Sequence, residues 1–297
     1  MLPRFSTGPS DPLRYAEVIG DPIAQSKSPL IHKHWLGLCK VEGDYRRTFV
    51  ERGRLEEFLA ERRLDPLWRG CNVTIPHKEQ AAALVDELDQ RARAIGAVNC
   101  IVASPAGLTG ANTDADGIAA ALDSTALDGA SAAIIGGGGG ARAAIAYLAG
   151  RNVADILILV RDPAKAQSLR TIAPGVRMEI DHLERAAAKL DRTSAVINAT
   201  QLGMRGCPEM PAALLDAITR QAGGATLLDM VYAPIETRFL ATGRAAGAPV
   251  VDGLTMLIGQ AAKAFEMFFG EPAPAPDEAL RVLLTTGDLC DNSSPGD

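Results

Sequence analysis

The chain has 297 residues, 47% of them hydrophobic and 22% charged, an ordinary globular composition with material for two cores. A formal net charge of −6 argues against a broadly basic nucleic-acid surface. Five scattered cysteines, at 39, 71, 100, 207 and 290, form neither a disulfide framework nor a spaced metal cluster, and no apolar run reaches the ~18 residues of a membrane span. With no signal-peptide core at its start, the protein is expected to be cytoplasmic, its cysteines mostly reduced fillers, and its partner a small molecule rather than a membrane or nucleic acid.

Residues 1–13 are rich in Pro, Ser and Gly and read as a loose lead-in. A short strand over 15–19 runs into a Gly-Asp-Pro turn, and Gln25-Ser26-Lys27-Ser28-Pro29 precedes a helix over 30–39. The hydroxyls of Ser26 and Ser28 suit an anion such as a carboxylate, with Ser28 as a plain helix cap ahead of Pro29 the alternative. A strand over 45–50 and an amphipathic helix over 55–62 follow. The segment Asn72-Val73-Thr74-Ile75-Pro76-His77-Lys78 ends a strand and opens a helix expected over 78–88. Lys78 therefore stands at a strand-to-helix junction, where sites gather in α/β folds, with a solvated surface charge as the alternative. His77 beside it reads as a partly exposed turn residue.

A strand over 97–102 contains Asn99, whose amide needs partners if buried. Asn112-Thr113-Asp114-Ala115-Asp116 leads into a helix over 118–122, which Asp114 or Asp116 can cap. Beyond it, strands are expected at 131–135, 156–160, 195–198, 226–229 and 249–251, with a weaker one at 176–180. Helices at 141–149, 163–170, 183–189, 211–220 and 235–246 fill the intervals, which implies a parallel, doubly wound sheet. Five glycines, Gly136, Gly137, Gly138, Gly139 and Gly140, join the first of these strands to its helix. Gly136 and Gly138, with Ala141 at the third small position, fit the dinucleotide fingerprint.

The second strand of this unit ends at Arg161-Asp162, where an adenosine ribose is read. Asp162 suits the 2′-hydroxyl of NAD or caps the following helix, whereas Arg161 with Lys165 favours the 2′-phosphate of NADP. Asn198-Ala199-Thr200 and Asp229-Met230-Val231-Tyr232 end two further strands at the ligand crevice of such a sheet. Asp252-Gly253 opens a helix over 255–269 whose apolar face carries one polar neighbour, Gln260. A Pro-rich connector, a short helix near 277–284 and a disordered tail over 286–297 complete the chain.

In their order along the chain these motifs resemble the shikimate dehydrogenase family, from Tyr15 to about Leu284. The resemblance implies an N-terminal α/β substrate-binding and catalytic domain over 14–116, a Rossmann NADP-binding domain over 117–252, and C-terminal helices over 253–285 that return to the first domain. It implies reversible NADPH-dependent reduction of 3-dehydroshikimate to shikimate, toward chorismate and the aromatic amino acids. Lys78 would be the proton donor, with Asp114 beside it contacting a substrate hydroxyl. Ser26 and Ser28 would hold the substrate carboxylate, Tyr232 would lie near it, and Thr74, Asn99 and Gln260 would bind ring hydroxyls. The cofactor side would comprise the glycine loop with Ala141, Arg161, Asp162, Lys165, Thr200, Met230 and Gly253, and no metal.

Three positions depart from the family pattern: Ala115 for its usual Gly, Gln201 for its common Ser, and Asp162 for its usual Thr. The last leaves NAD open beside NADP. A quinate or dual quinate/shikimate dehydrogenase is the nearest alternative, and Ser28, where a Thr would be bulkier, points to the shikimate form. A non-catalytic nucleotide-binding paralogue is the other, and the retention of both Lys78 and Asp114 argues against it. The expected assembly is a monomer or homodimer.

Overall fold

The computed structural model describes residues 13–190, 193–220 and 224–286. The expected lead-in and tail, apart from Leu13 and Thr286, lie outside the described residues. The first half runs β1 (Tyr15–Gly20), α1 (Ser28–Cys39), β2 (Asp44–Phe49), α2 (Leu55–Arg62), β3 (Trp68–Val73), α3 (Lys78–Leu84), β4 (Glu87–Leu88), α4 (Gln90–Ile95), β5 (Cys100–Ser104), β6 (Gly107–Ala111) and α5 (Asp114–Leu122). Its strands form one mixed sheet in the order β2-β1-β3-β5-β6-β4. One face carries Ile19, Leu55, Trp68 and Ile101, while the other packs Ala16, Val18 and Tyr45 under a later helix.

The second half runs β7 (Ser131–Ile135), α6 (Gly139–Gly150), β8 (Asp155–Val160), β9 (Arg177–His182), β10 (Thr193–Asn198), α7 (Ala212–Arg220), β11 (Thr226–Asp229), α8 (Arg238–Ala245) and β12 (Val250–Val251). All its pairings are parallel, in the order β12-β11-β10-β7-β8-β9. This is the doubly wound Rossmann arrangement, whose switch point falls between β7 and β10. Every strand expected here forms, the weak one included.

Two final helices, α9 (Gly253–Phe269) and α10 (Glu278–Thr286), return to the first sheet. Phe265 and Phe268 of α9 are buried against Trp35 and Tyr45, each contributing on the order of 2 kcal/mol. Helices α5 and α9, which carry the chain between the sheets, cross closely. A Cβ on Gly117 would stand 2.4 Å from the Met256 carbonyl, and one on Gly259 would stand 2.9 Å from Ala120. Among the described residues no helix is long and apolar enough to cross a membrane, and the four described cysteines are free.

Several expected elements change where tertiary contacts override local pattern. Helix α3 stops at Leu84 rather than 88, because Asp86 accepts the Leu108 N–H at 2.6 Å and the chain pairs with β6 as β4. Strand β5 begins at Cys100 rather than 97, since Gly96 leaves α4 in the left-handed region and Val98 donates to the Lys78 carbonyl at 2.8 Å. The helices expected at 163–170 and 183–189 are short 3-10 turns, Gln167–Ile172 and Leu183–Ala188. The first loses its start, because residues 163–166 form a turn closed by the Ala164 and Lys165 N–H groups donating to Asp162, and Arg170 is drawn onto the Met178 carbonyl.

Candidate active site

Lys78 is the first residue of α3. The turn before it, which holds the half-buried Thr74, is fixed by Thr74 N–H donating to Ile19 (3.0 Å) and His77 N–H donating to Thr74 (3.0 Å). His77 is not a partly exposed turn residue: it is buried, and its Nε2 lies 2.7 Å from the Val50 carbonyl. The Lys78 ammonium meets Asp114 Oδ2 at 2.6 Å, with the lysine 19% and the aspartate 6% exposed by side chain. Desolvation offsets much of the attraction in so enclosed a pair, but removing either partner would strand the other as an unpaired charge.

Asp114 opens α5 rather than capping it, the N-cap position being Thr113, so its carboxylate is available to Lys78. Asp116 lies in the same first turn and pairs with Arg91 at 2.6 Å instead. Asn99 Nδ2 donates to Asp114 Oδ1 (2.8 Å) and to Thr113 Oγ1 (3.0 Å), and it reaches Gln260 Oε1 at 3.4 Å. The buried Asn99 amide thus finds its partners, and Gln260, the odd polar residue of α9, is one of them. Ala115 is buried in α5 behind Asp114 and leaves the helix start intact.

The serine pair sits at the start of α1, where Ser28 is the first helical residue and Lys27 the N-cap, so Ser28 is no cap. Ser26 Oγ and Ser28 Oγ are 3.3 Å apart. Two cations brace this loop from behind: Arg47 Nε donates to the Ser26 carbonyl (2.7 Å) and Lys27 Nζ to the Leu284 carbonyl of α10 (2.5 Å). Tyr232 is half-buried against the Ile31, Leu254 and Ile258 cluster beneath α1.

One arrangement is not visible in the residue pattern. The buried Tyr45 hydroxyl donates to Asn72 Oδ1 at 2.6 Å, and Asn72 Nδ2 donates to the Asn99 carbonyl at 3.2 Å. Hydrogen bonds therefore link Tyr45 through Asn72 and Asn99 to Asp114 and Lys78. Burial pushes the Tyr45 phenol well above its ordinary range, so it stays a neutral donor.

The glycine loop lies at the carboxyl end of β7, at the switch point, with Gly136 at φ 120°, a conformation L side chains avoid. Helix α6 begins at Gly139, earlier than the expected 141, with Ala141 buried beneath it. Gly137 lies beside Val160, Gly138 opens to free space, and Gly140 lies against Met230. A Cβ on Gly139 would stand 3.1 Å from Lys78 Cδ, so the loop touches the lysine of the other half. Across the switch point, Thr200 Oγ1 donates to Asn198 Oδ1 (2.7 Å), and Asn198 Nδ2 donates to Asp229 (2.9 Å). Burial raises the Asp229 carboxyl to about 6. Gly253 starts α9 with its Cα hard against the Val231 carbonyl.

At the ribose end, Asp162 turns its carboxylate onto its own loop, accepting from the Ala164 and Lys165 N–H groups at 3.1 and 3.3 Å. Those hydrogen bonds hold it below the usual carboxylate range. The cap expected of Asp162 is formed, but over a turn instead of a helix. Lys165 pairs with it at 3.4 Å, Arg161 is exposed beside them, and Gln201 is exposed in the turn after Thr200. A positive-φ glycine at the switch point, an uncovered helix start and an exposed arginine at the end of β8 fit a dinucleotide with a phosphorylated ribose. Among the described residues no cluster fits a metal ion.

Residues 18–101 match the family model of the shikimate dehydrogenase substrate binding domain, 119–204 that of shikimate / quinate 5-dehydrogenase, and 253–277 that of the shikimate 5'-dehydrogenase C-terminal domain. A shikimate dehydrogenase (NADP(+)) of Sphingopyxis alaskensis is 47% identical over 91% of this chain and 96% of its own length. The solved shikimate 5-dehydrogenase of Thermus thermophilus in complex with NADP(H) and shikimate is 32% identical, with a TM-score of 0.76 over 92% of this chain and 98% of that one. The Listeria monocytogenes enzyme, solved with shikimate and NAD, gives a TM-score of 0.81 at 27% identity over 92% of this chain and 96% of its own.

Proposed function

The chain belongs to the shikimate dehydrogenase family, and on that premise we propose that it catalyses the reversible NADPH-dependent reduction of 3-dehydroshikimate to shikimate, in the route to chorismate and the aromatic amino acids. NADPH supplies the hydride when bound. Negative charge then develops on the ketone oxygen, and Lys78 donates a proton to it; in the oxidative direction the same nitrogen accepts that proton. Asp114 holds the ammonium at 2.6 Å and accepts from a ring hydroxyl.

Ser26 and Ser28 donate to the substrate carboxylate, with Tyr232 close by, in a loop that Lys27 and Arg47 hold through carbonyl contacts. Thr74, Asn99 and Gln260 take ring hydroxyls, each of which would cost free energy if buried unpaired. The glycine loop receives the pyrophosphate at the start of α6, Thr200, Met230 and Gly253 line the nicotinamide end, and Arg161 with Lys165 takes the 2′-phosphate. In this reading residues 14–116 with 253–285 form the substrate domain, 117–252 form the cofactor domain, and the enzyme works in the cytoplasm as a monomer or homodimer.

The Lys78–Asp114 pair, set against the glycine loop, carries the proposal. A steady-state matrix of shikimate and quinate against NADP and NAD tests it. The highest kcat/KM is expected for shikimate with NADP. Preference for quinate would move the substrate assignment, and no turnover in any combination would leave only a nucleotide-binding protein.

A further inference from the structure

Arg142 ties the two halves of the molecule together. It is the fourth residue of α6, in the turn directly behind the glycine loop, and its side chain leaves that helix for the other half. Nη1 donates to the Ile95 carbonyl at 2.9 Å, and Nη2 stands 3.9 Å from a Glu79 carboxylate oxygen. Ile95 ends α4, where the last carbonyls have no partner within the helix. A Cβ on Gly96 would stand 3.3 Å from Nη1, so bare backbone gives the guanidinium its room. Two residues on, Val98 N–H bonds the Lys78 carbonyl at 2.8 Å, and Glu79 is the next residue after Lys78. One guanidinium therefore grips both segments that carry the lysine.

Holding α4 to α6 does not require this contact. Ile95 and Ala97 already pack with Ala141 and Ile145 in a common core. Arg142 Nε is buried without a partner among the described residues, so part of its desolvation cost is not offset. Apolar packing is non-directional and leaves α6 able to slide along α4, whereas a hydrogen bond to one carbonyl fixes the register. Register matters because Gly139, three residues before Arg142, bears the stem of Lys78.

We propose that Arg142 is a positioning residue for the reaction: by pinning the first turn of α6 to the Ile95 carbonyl, it sets the glycine loop, and the dinucleotide it receives, at the working distance from Lys78. The proposal rests on the dehydrogenase reading above. A loop displaced by about 1 Å is enough to cost on the order of 100-fold in rate.

The test compares wild type, Arg142→Ala and Arg142→Lys in the full chain, by steady-state kinetics and by amide hydrogen exchange at residues 96–98. Arg142→Ala is expected to lower kcat by at least about 10-fold with KM for shikimate within twofold, and to speed exchange at 96–98. Arg142→Lys, which can still donate to the Ile95 carbonyl, recovers most of kcat. A kcat within twofold of wild type in Arg142→Ala overturns the proposal, as does a loss accounted for by a smaller folded fraction. A wild type inactive on every substrate removes the dehydrogenase reading instead. The pin between the halves is then judged by exchange alone, and unchanged exchange in Arg142→Ala overturns it.

Discussion

The aliphatic stem of Lys78 packs on the bare backbone of Gly139, where a Cβ would stand 3.1 Å from Lys78 Cδ, closer than ordinary van der Waals contact. The backbone of the glycine loop and the side chain of Lys78 thus share one surface. Gly139→Ala shifts the lysine stem by a few tenths of an ångström, at a first helical residue where Ala costs no helix propensity. Turnover is expected to fall about 10-fold or more while the melting temperature holds or rises, a split that kinetics and a thermal melt resolve together.

Removing the ammonium itself is more severe. Lys78→Ala is expected to lower kcat by roughly 100- to 10,000-fold, the range of a positioned acid or base. KM for shikimate should change little, because in the proposed reading Ser26, Ser28, Thr74, Asn99 and Gln260 hold the carboxylate and ring hydroxyls. Near-normal turnover would take Lys78 out of the chemistry.

At the ribose end the self-capped Asp162 leaves Arg161 as the available charge. Arg161→Ala is expected to raise KM for NADP at least about 10-fold, the value of one charge-assisted hydrogen bond, and to leave KM for NAD within twofold. Equal effects on both cofactors would show that Arg161 does not read the 2′-phosphate.

Ser28→Ala tests the carboxylate site, because Ser28 is not the cap of α1 and its loss should leave the helix stable. KM for shikimate is expected to rise about 10-fold, with KM for NADP unchanged. An unaltered shikimate constant would return Ser28 to a structural role.

The Asp229 carboxyl, raised from the ordinary value of 3.8 to about 6 by burial, makes stability pH-dependent. Between those values the folded chain holds a proton that the unfolded chain has released. Its contribution is therefore full below about pH 4 and is lost as pH rises through about 6, by on the order of 3 kcal/mol. Urea melts of Asp229→Asn against wild type should show the variant gaining ground from about pH 4 to about pH 6 and levelling off by pH 7, and parallel curves would refute the assignment.

The glycine loop, the strand alternation around it and the position of Lys78 were legible because each depends on neighbours in sequence. The C-terminal end of α3 and the short turns at Gln167–Ile172 and Leu183–Ala188 were not, since strand pairing and remote carbonyls decide them. Asp114 and Asp116 were equivalent on paper and are separated only by their distant partners, Lys78 and Arg91. The bond from Tyr45 to Asn72 exists because β1 brings β2 and β3 to either side of it. The reach of Arg142 likewise depends on how α6 meets α4, although the residue stands two places after the last glycine, beside a motif that draws attention on its own.

The return of α9 to the first sheet also orders events during synthesis. Tyr45, Ala16 and Val18 wait for Phe268 to cover them, and Asn99 waits for Gln260, so the first sheet is completed only by residues made after the entire second sheet. The intervening strands, β7 to β12, are contiguous and have their own partners as they leave the ribosome. A chain stopped before residue 253 would thus present a finished nucleotide-binding sheet beside an open apolar face, the kind of surface that chaperones engage and that aggregates when left uncovered.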